Sequence, residues 1–204
     1  MFSYLFLYYH LPMLKIHEGR LQNALDIIEK YYEPDSKAYH FLVQHGKLVA
    51  HKALQVADRV KELNPDTAFI EEAAMLHDIG IYLTDEPDLG CFGDHPYICH
   101  GYLGRELLDK EGLPAHALVC ERHVGAGITI EDIETRGLPL PKREMMPLTL
   151  EEKIICFADK FYSKSEHGLT REKSVKAILS LLSRYGDKTA SVFKDWIKYF
   201  REEY

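Results

Sequence analysis

The stretch Ala73-Ala74-Met75-Leu76-His77-Asp78-Ile79-Gly80 decides how the rest of the chain is read. Apolar residues that read as the end of a buried helix run into an adjacent histidine and aspartate. Gly80 follows, a residue able to close a helix in a left-handed turn. An ionised carboxylate at the inner end of an apolar helix is costly to desolvate unless a partner neutralises it. Asp78 therefore needs a cation, and the flanking sequence must supply the other ligands.

Upstream, Leu21, Leu25, Ile28 and Tyr32 recur at helical spacing between about Ile16 and Tyr32, and Pro34 ends that helix. A second helix opens at Asp35 or Ser36 and extends to about Leu63. Its seam runs through Ala38, Leu42, His45, Val49, Ala53, Val56, Val60 and Leu63. At about 100° per residue, His45 lies on that seam while His40 and His51 point away from it. Asn64-Pro65 reads as a cap and first-turn proline for the helix that carries Ala73 to Asp78.

Downstream, a loop rich in Gly, Pro and Asp from Thr84 to Pro96 leads into a helix with Tyr97, His100, Gly104, Leu107 and Glu111. Gly101 and Gly104 expose its backbone to a close neighbour. After Gly112-Leu113-Pro114, Val119 and His123 share a helix face, and that helix ends near Gly125 or Gly127. The irregular connection 128–147 carries Gly137, Pro139, Pro141 and Pro147 among charges, and it reads as a lid over the site. Thr149-Leu150-Glu151-Glu152 reads as a capping box opening a helix with Ile155, Ala158, Asp159 and Tyr162 on its apolar stripe. Two amphipathic helices, around Val175, Ile178, Leu179 and Leu182 and around Val192, Phe193, Trp196 and Phe200, close the chain as scaffold. The pattern is all-α.

The chain has 204 residues, of which 46% are apolar, and suits one folded unit. A net charge of −7 argues against a nucleic-acid polymer or an anionic membrane as partner. A small phosphorylated ligand stays open, because local cations or a bound metal overrule the mean charge. Cys91, Cys99, Cys120 and Cys156 form no Cys-x-x-Cys pair and read as free thiols in a reducing cytoplasm. The apolar first ten residues lack a basic segment and a cleavage site, so they read as neither a signal peptide nor a membrane span. They suit a packing arm, or translation from a codon upstream of Met13. A homodimer is compatible with the sequence.

His45, His77, Asp78, His100, His123 and Asp159 thus fall on inward faces or inner ends of five successive helices. Singly, each has a plain explanation: a histidine on an apolar seam is commonly a hydrogen-bonded core residue, and Asp159 could be half of a buried ion pair. Together, imidazoles and carboxylates suit divalent ions such as Fe, Mn, Co, Ni or Zn. Six ligands exceed the need of one tetrahedral ion, and a bridging carboxylate would let the other five divide between two. His95 and His116 read as surface or loop residues.

With these residues in place, the chain resembles the HD-domain phosphohydrolase superfamily. His45, the doublet within His77-Asp78-Ile79-Gly80, and Asp159 match its signature in order and approximate spacing, while His100 and His123 match the extra histidines of its binuclear members. The resemblance covers roughly residues 35–165, which it implies to be a metal-binding catalytic core, between an N-terminal arm and helix over 1–34 and C-terminal helices over 166–204 that pack on it within one domain. It implies an HD-domain helical bundle with the metal site in its core and two divalent transition-metal ions. One would be held by His45, His77, Asp78 and Asp159; the other, bridged by Asp78, by His100 and His123. It further implies a phosphohydrolase in which Asp78 is the catalytic ligand and a metal-bridging hydroxide attacks a small phosphate ester or anhydride, such as a nucleotide. The spacing resembles that of the small stand-alone HD hydrolases, including the symmetrical dinucleoside tetraphosphate hydrolases, more than that of the larger regulatory enzymes.

One departure matters. Many binuclear relatives carry a lysine where this chain has Ile81, so a phosphate-binding cation must come from elsewhere. Arg122, Lys160 and Lys164 adjoin the proposed ligands, and Lys142 and Arg143 lie in the lid. Two other functions use the same residues: a di-iron oxygenase of the same superfamily, and a non-catalytic nucleotide-binding module. Loss of a ligand would favour the latter, and none is lost.

Overall fold

The computed structural model describes residues 18–163 and 170–203. The apolar N-terminal stretch, Lys164 and His167 lie outside the described residues. In chain order the described elements are α1 (Glu18–Ile28), α2 (Lys37–Arg59), α3 (Thr67–Leu76), a hairpin of β1 (Asp85–Glu86) and β2 (Cys91–Phe92), α4 (His100–Lys110), α5 (Pro114–Arg122), α6 (Ile130–Arg136), α7 (Leu150–Asp159), α8 (Val175–Leu182) and α9 (Asp187–Tyr199). The fold is all-α apart from the hairpin. Its ladder pairs Asp85 with Phe92 and Glu86 with Cys91, too short to leave an alternating pattern in the sequence.

Helix α2 organises the rest. The Ser36 side chain accepts the Tyr39 backbone N–H at 3.1 Å and so caps its start. Every seam position from Ala38 to Val60 is buried, while Leu63 is not. The helix stops at Arg59, short of the expected end, because Asn64 sits in the left-handed region at φ 54° and closes a short 3₁₀ turn over Lys61–Leu63. Asn64 is therefore a stop and not a start. The cap of α3 is Asp66, whose carboxylate accepts the Phe69 N–H at 3.0 Å. At α7, Thr149 accepts the Glu152 N–H, but Glu152 does not reach back to complete a capping box; its carboxylate takes the Leu148 N–H and Arg122 instead.

Two apolar clusters meet along α2. One gathers Val49 to Val60 with the inner faces of α7, α8 and α9 around Phe157, Phe161 and Phe193; the other gathers Leu42 with α1, the end of α3, α4 and α5. His45 lies between Leu42 and Val49, at the boundary. A third, small cluster of Ile128, Ile133 and Met145 shows that the segment read as a lid is packed structure. Ile128 and Met145 exchange both backbone hydrogen bonds, and Thr129 with Asp132 forms a full capping box at α6.

Gly80 does not adopt the left-handed turn expected of it. It is required for another reason: a Cβ there would lie 2.2 Å from the His100 carbonyl oxygen and 2.4 Å from the Gly104 nitrogen. The start of α4 rests directly on the backbone that follows His77-Asp78. Gly104 in turn leaves room for the Cys120 Sγ on α5. Replacing Gly80 by Ala is therefore expected to cost about 3 kcal/mol through overpacking, whereas Gly19→Ala, on the open face of α1, should add about 0.5 kcal/mol through helix propensity. Urea denaturation of the two variants measures both; equal stability of Gly80→Ala and the parent would refute the contact.

Candidate metal centre

The six candidate ligands converge from five helices, with α6 intervening before α7. His45 comes from the middle of α2, His77 caps the end of α3, Asp78 follows it, His100 opens α4, His123 caps the end of α5 and Asp159 ends α7. All six are at most 5% exposed. Their ligand atoms form two sets sharing Asp78, one with His45, His77 and Asp159 and the other with His100 and His123, each within 4.8 Å.

Hydrogen bonds settle which imidazole nitrogen faces inward. Nδ1 of His77, His100 and His123 each donates to the carbonyl three residues earlier, of Ala74, Tyr97 and Cys120, at 2.6, 2.6 and 2.7 Å. A carbonyl only accepts, so each Nδ1 carries a proton, and it is Nε2 that presents a lone pair when the ring is neutral. The Nε2 atoms of His100 and His123 then face one another at 3.1 Å, and they stand 3.3 and 3.1 Å from Asp78 Oδ1. On the other side, His45 and His77 Nε2 lie 3.4 and 3.3 Å from Asp78 Oδ2, with Asp159 Oδ1 at 2.9 Å from His45. His77 Nε2 is buried and makes no hydrogen bond.

Lone pairs and carboxylate oxygens turned on one another in a dry interior repel unless a cation sits among them. The same demand shows at His77. Burial opposes a charge on His77, yet Asp78 and Asp159 beside it outweigh burial and lift its pKa to about 9. The donor set, three oriented imidazoles with carbonyl-anchored rings, a fourth imidazole and two carboxylates, fits divalent transition metals. The cysteines stand behind the ligands and are not among them: Cys120 Sγ donates to the His77 carbonyl and Cys156 Sγ to that of His123.

The basic residues near the ligands divide sharply. Arg122 is turned away, its Nη1 donating to both oxygens of the buried Glu152 at 2.9 and 3.0 Å. Arg143 and Arg105 are both engaged by the buried Glu121, and Lys142 reaches the exposed Glu134. Lys160 remains at the site: its Nζ donates to the His123 carbonyl at 3.1 Å and contacts Asp159 Oδ2. Lys173, absent from the sequence expectations, lines the same opening. Ile81 packs in the second apolar cluster, so its position does not reach this opening. The opening is a cavity of about 390 Å³ lined by His100, His123, Asp159 and Lys160, and also by Ile178, Leu182 and Tyr185 at α8 and beyond. The C-terminal helices were expected as scaffold only; the fold brings α8 to the mouth of the site, which no local motif signals. His95 is exposed, as expected, but His116 is half-buried against Phe69 and Glu72.

The family model for the HD domain matches residues 42–163, which contain all six ligands. The chain belongs to the HD domain family. Three curated relatives resemble this HD domain protein. A tRNA (cytidine(56)-2'-O)-methyltransferase of Thermoplasma volcanium is 31% identical over 70% of this chain and 36% of its own length. A protein of that name from Picrophilus torridus is 32% identical over 60% and 31%. An uncharacterized protein of Methanocaldococcus jannaschii is 36% identical over 58% and 64%. The chain thus spans about a third of the two methyltransferases and less than two thirds of the third relative. No solved structure matches it. Among the described residues no helix is long and apolar enough to cross a membrane.

Two predictions follow from the surroundings of the ligands. Arg122→Ala strands Glu152 in the interior and should lower unfolding free energy by about 3 kcal/mol; a variant that keeps its melting temperature would show that the pair is not structural. Burial raises the Cys156 thiol to about 12 and the Cys91 thiol to about 11. A thiol pKa raised by folding supports the native state below the unfolded value near 9 and loses that support as pH climbs toward the folded value. At pH 8 the native protein should show no fast-reacting thiol with a disulfide reagent, and all four should appear in denaturant.

Proposed function

We propose that the protein is a metal-dependent phosphohydrolase that cleaves a small phosphate ester or anhydride, with two divalent ions in the centre. One observation carries the reading: Asp78 turns one carboxylate oxygen to His45 and His77 and the other to His100 and His123. That division supports two ligand sets joined by a bridge, the arrangement suited to in-line displacement at phosphorus. Ions bound there act as Lewis acids, lowering the pKa of water and neutralising charge on phosphate oxygens.

The chain's own residues do the rest. The three carbonyl anchors hold the imidazole rings in one tautomer, so no reorientation accompanies binding. Lys160, at the rim and aligned by the His123 carbonyl, is placed to meet a phosphate oxygen, the role that the residue at Ile81 cannot fill. Asp159 positions both Lys160 and His45. Arg122 is bound to Glu152 and has no part in phosphate binding on this reading.

The names of the two methyltransferases suggest a link to tRNA, but they belong to proteins matched over only about a third of their length. A net charge of −7 runs against binding a polyanion. An interior site for a small substrate suits the cavity better.

Elemental analysis should find two ions per chain in the parent, one in His100→Ala and none in Asp78→Ala. Phosphate release from a panel of nucleotides and aryl phosphates, with Mn, Co, Ni or Fe supplied, should fall about a thousandfold in Asp78→Ala and about tenfold in Lys160→Ala. Oxygen uptake by the iron-loaded protein without phosphate release would replace this reading by the oxygenase. Nucleotide binding with neither reaction would replace it by the binding module.

A further inference from the structure

Helix α7 delivers Asp159 at its last position and Lys160 as its cap, and the last carbonyls of a helix need donors from outside it. The Tyr162 N–H bonds the Asp159 carbonyl at 3.3 Å, and one residue takes the next three carbonyls. The Lys173 backbone N–H donates to Phe161 at 2.7 Å, while its Nζ donates to Tyr162 at 2.7 Å and to Lys160 at 3.4 Å. A cation there also meets the negative end of the helix dipole. Lys173 is in turn placed from the middle of the fold. Lys52, on α2 seven residues beyond His45, is buried, and a buried ammonium must be paired. Its Nζ lies 4.0 Å from the centre of the Phe161 ring and donates to Glu172 at 2.7 Å and to Glu202 at 3.0 Å. Residues 172 and 173 are thus clasped between α2 and the end of α7. On the other side of the same turn, Lys160 Nζ reaches the His123 carbonyl at 3.1 Å and contacts Asp159 Oδ2.

We propose that Lys173 is a positioning residue: it fixes the turn after Asp159 so that the Lys160 ammonium stands at the rim of the opening, and Lys52 holds Lys173 in place through Glu172. That Lys160 meets a phosphate rests on the phosphohydrolase reading; that Lys173 places Lys160 does not. Lys173 also lines the opening, so direct contact with phosphate is the competing role.

Calorimetric titration of inorganic phosphate into the zinc-loaded full-length protein separates the two roles. Lys160→Ala should weaken binding about tenfold and Lys173→Met about fivefold. The double variant should stay at about tenfold, because a lysine that is absent cannot be positioned. Two independent contacts would multiply to about fiftyfold, and that result, or parent affinity in Lys173→Met, would overturn the proposal. Lys173→Arg keeps donors for the carbonyls and should restore most of the affinity. Should Lys173→Met fail to fold, Glu172→Gln serves at a half-exposed position: it should weaken phosphate about twofold and have no effect in the Lys160→Ala background, and an equal effect in both backgrounds would overturn the proposal. Nitrogen-15 spectra of the lysine-labelled, zinc-loaded protein need no phosphate. The Lys160 ammonium signal, identified by its loss in Lys160→Ala, should be seen in the parent and be broadened away by exchange with water in Lys173→Met; an unchanged signal would overturn the proposal. A parent that binds no phosphate, with a Lys160 signal that still depends on Lys173, would strike the phosphohydrolase reading and leave the positioning role standing.

Discussion

Everything in this structure is arranged around carboxylates that have left water. Asp78 and Asp159 sit in the interior with four imidazoles turned toward them, and the interior offers them little dielectric relief. Such a group of donors is stable as a set only with positive charge in its midst. The same pull is felt at His77, where Asp78 and Asp159 raise the pKa against the effect of burial. The folded chain is therefore built with a cation in its energetics, and the two apolar clusters that flank His45 are the walls that keep solvent from substituting for it.

The ligands occupy helix ends more than helix faces, and this has a physical use. A residue that closes or opens a helix has a carbonyl three positions back within reach of its ring, and His77, His100 and His123 all take it. The same local geometry thus orients three rings with no help from distant side chains. The two thiols behind them bond the carbonyls of His77 and His123, which ties the ligand backbone to α5 and α7. Orientation is built locally; only convergence requires the tertiary fold.

Much of this was legible beforehand. The clustering of the six candidate residues, their distribution over five helices and the inward aim of His45 follow from helical period and residue type, because a buried helix leaves one face on which a polar residue must find a partner. What local sequence could not show depends on contacts between distant segments. Asn64 reads as a helix start on residue preference alone, yet a left-handed stop is equally open to it, and Asp66 takes the cap. Gly80 looks like a turn, and only the proximity of α4 reveals why a side chain is excluded. Arg122 and Arg143 read as candidate phosphate ligands until Glu152 and Glu121, ordinary acidic residues in the sequence, prove to be buried partners. The contribution of α8 to the opening is of the same kind, since nothing within Val175–Leu182 points to where that helix docks.

The abutment of Gly80 on the first turns of α4, and of Gly101 on the carbonyls of Cys120 and Glu121, brings three ligand-bearing segments together main chain against main chain. Spacing set in that way cannot drift as residues elsewhere are exchanged, since no packing volume exists there to be adjusted. The half of the protein that holds the donors is thus spaced by backbone contact, whereas α6 and α8 contribute Asp132, Arg136, Leu181 and Leu182 to the wall of the opening. Residues of those two helices can be exchanged without disturbing the glycine contacts that space the donors.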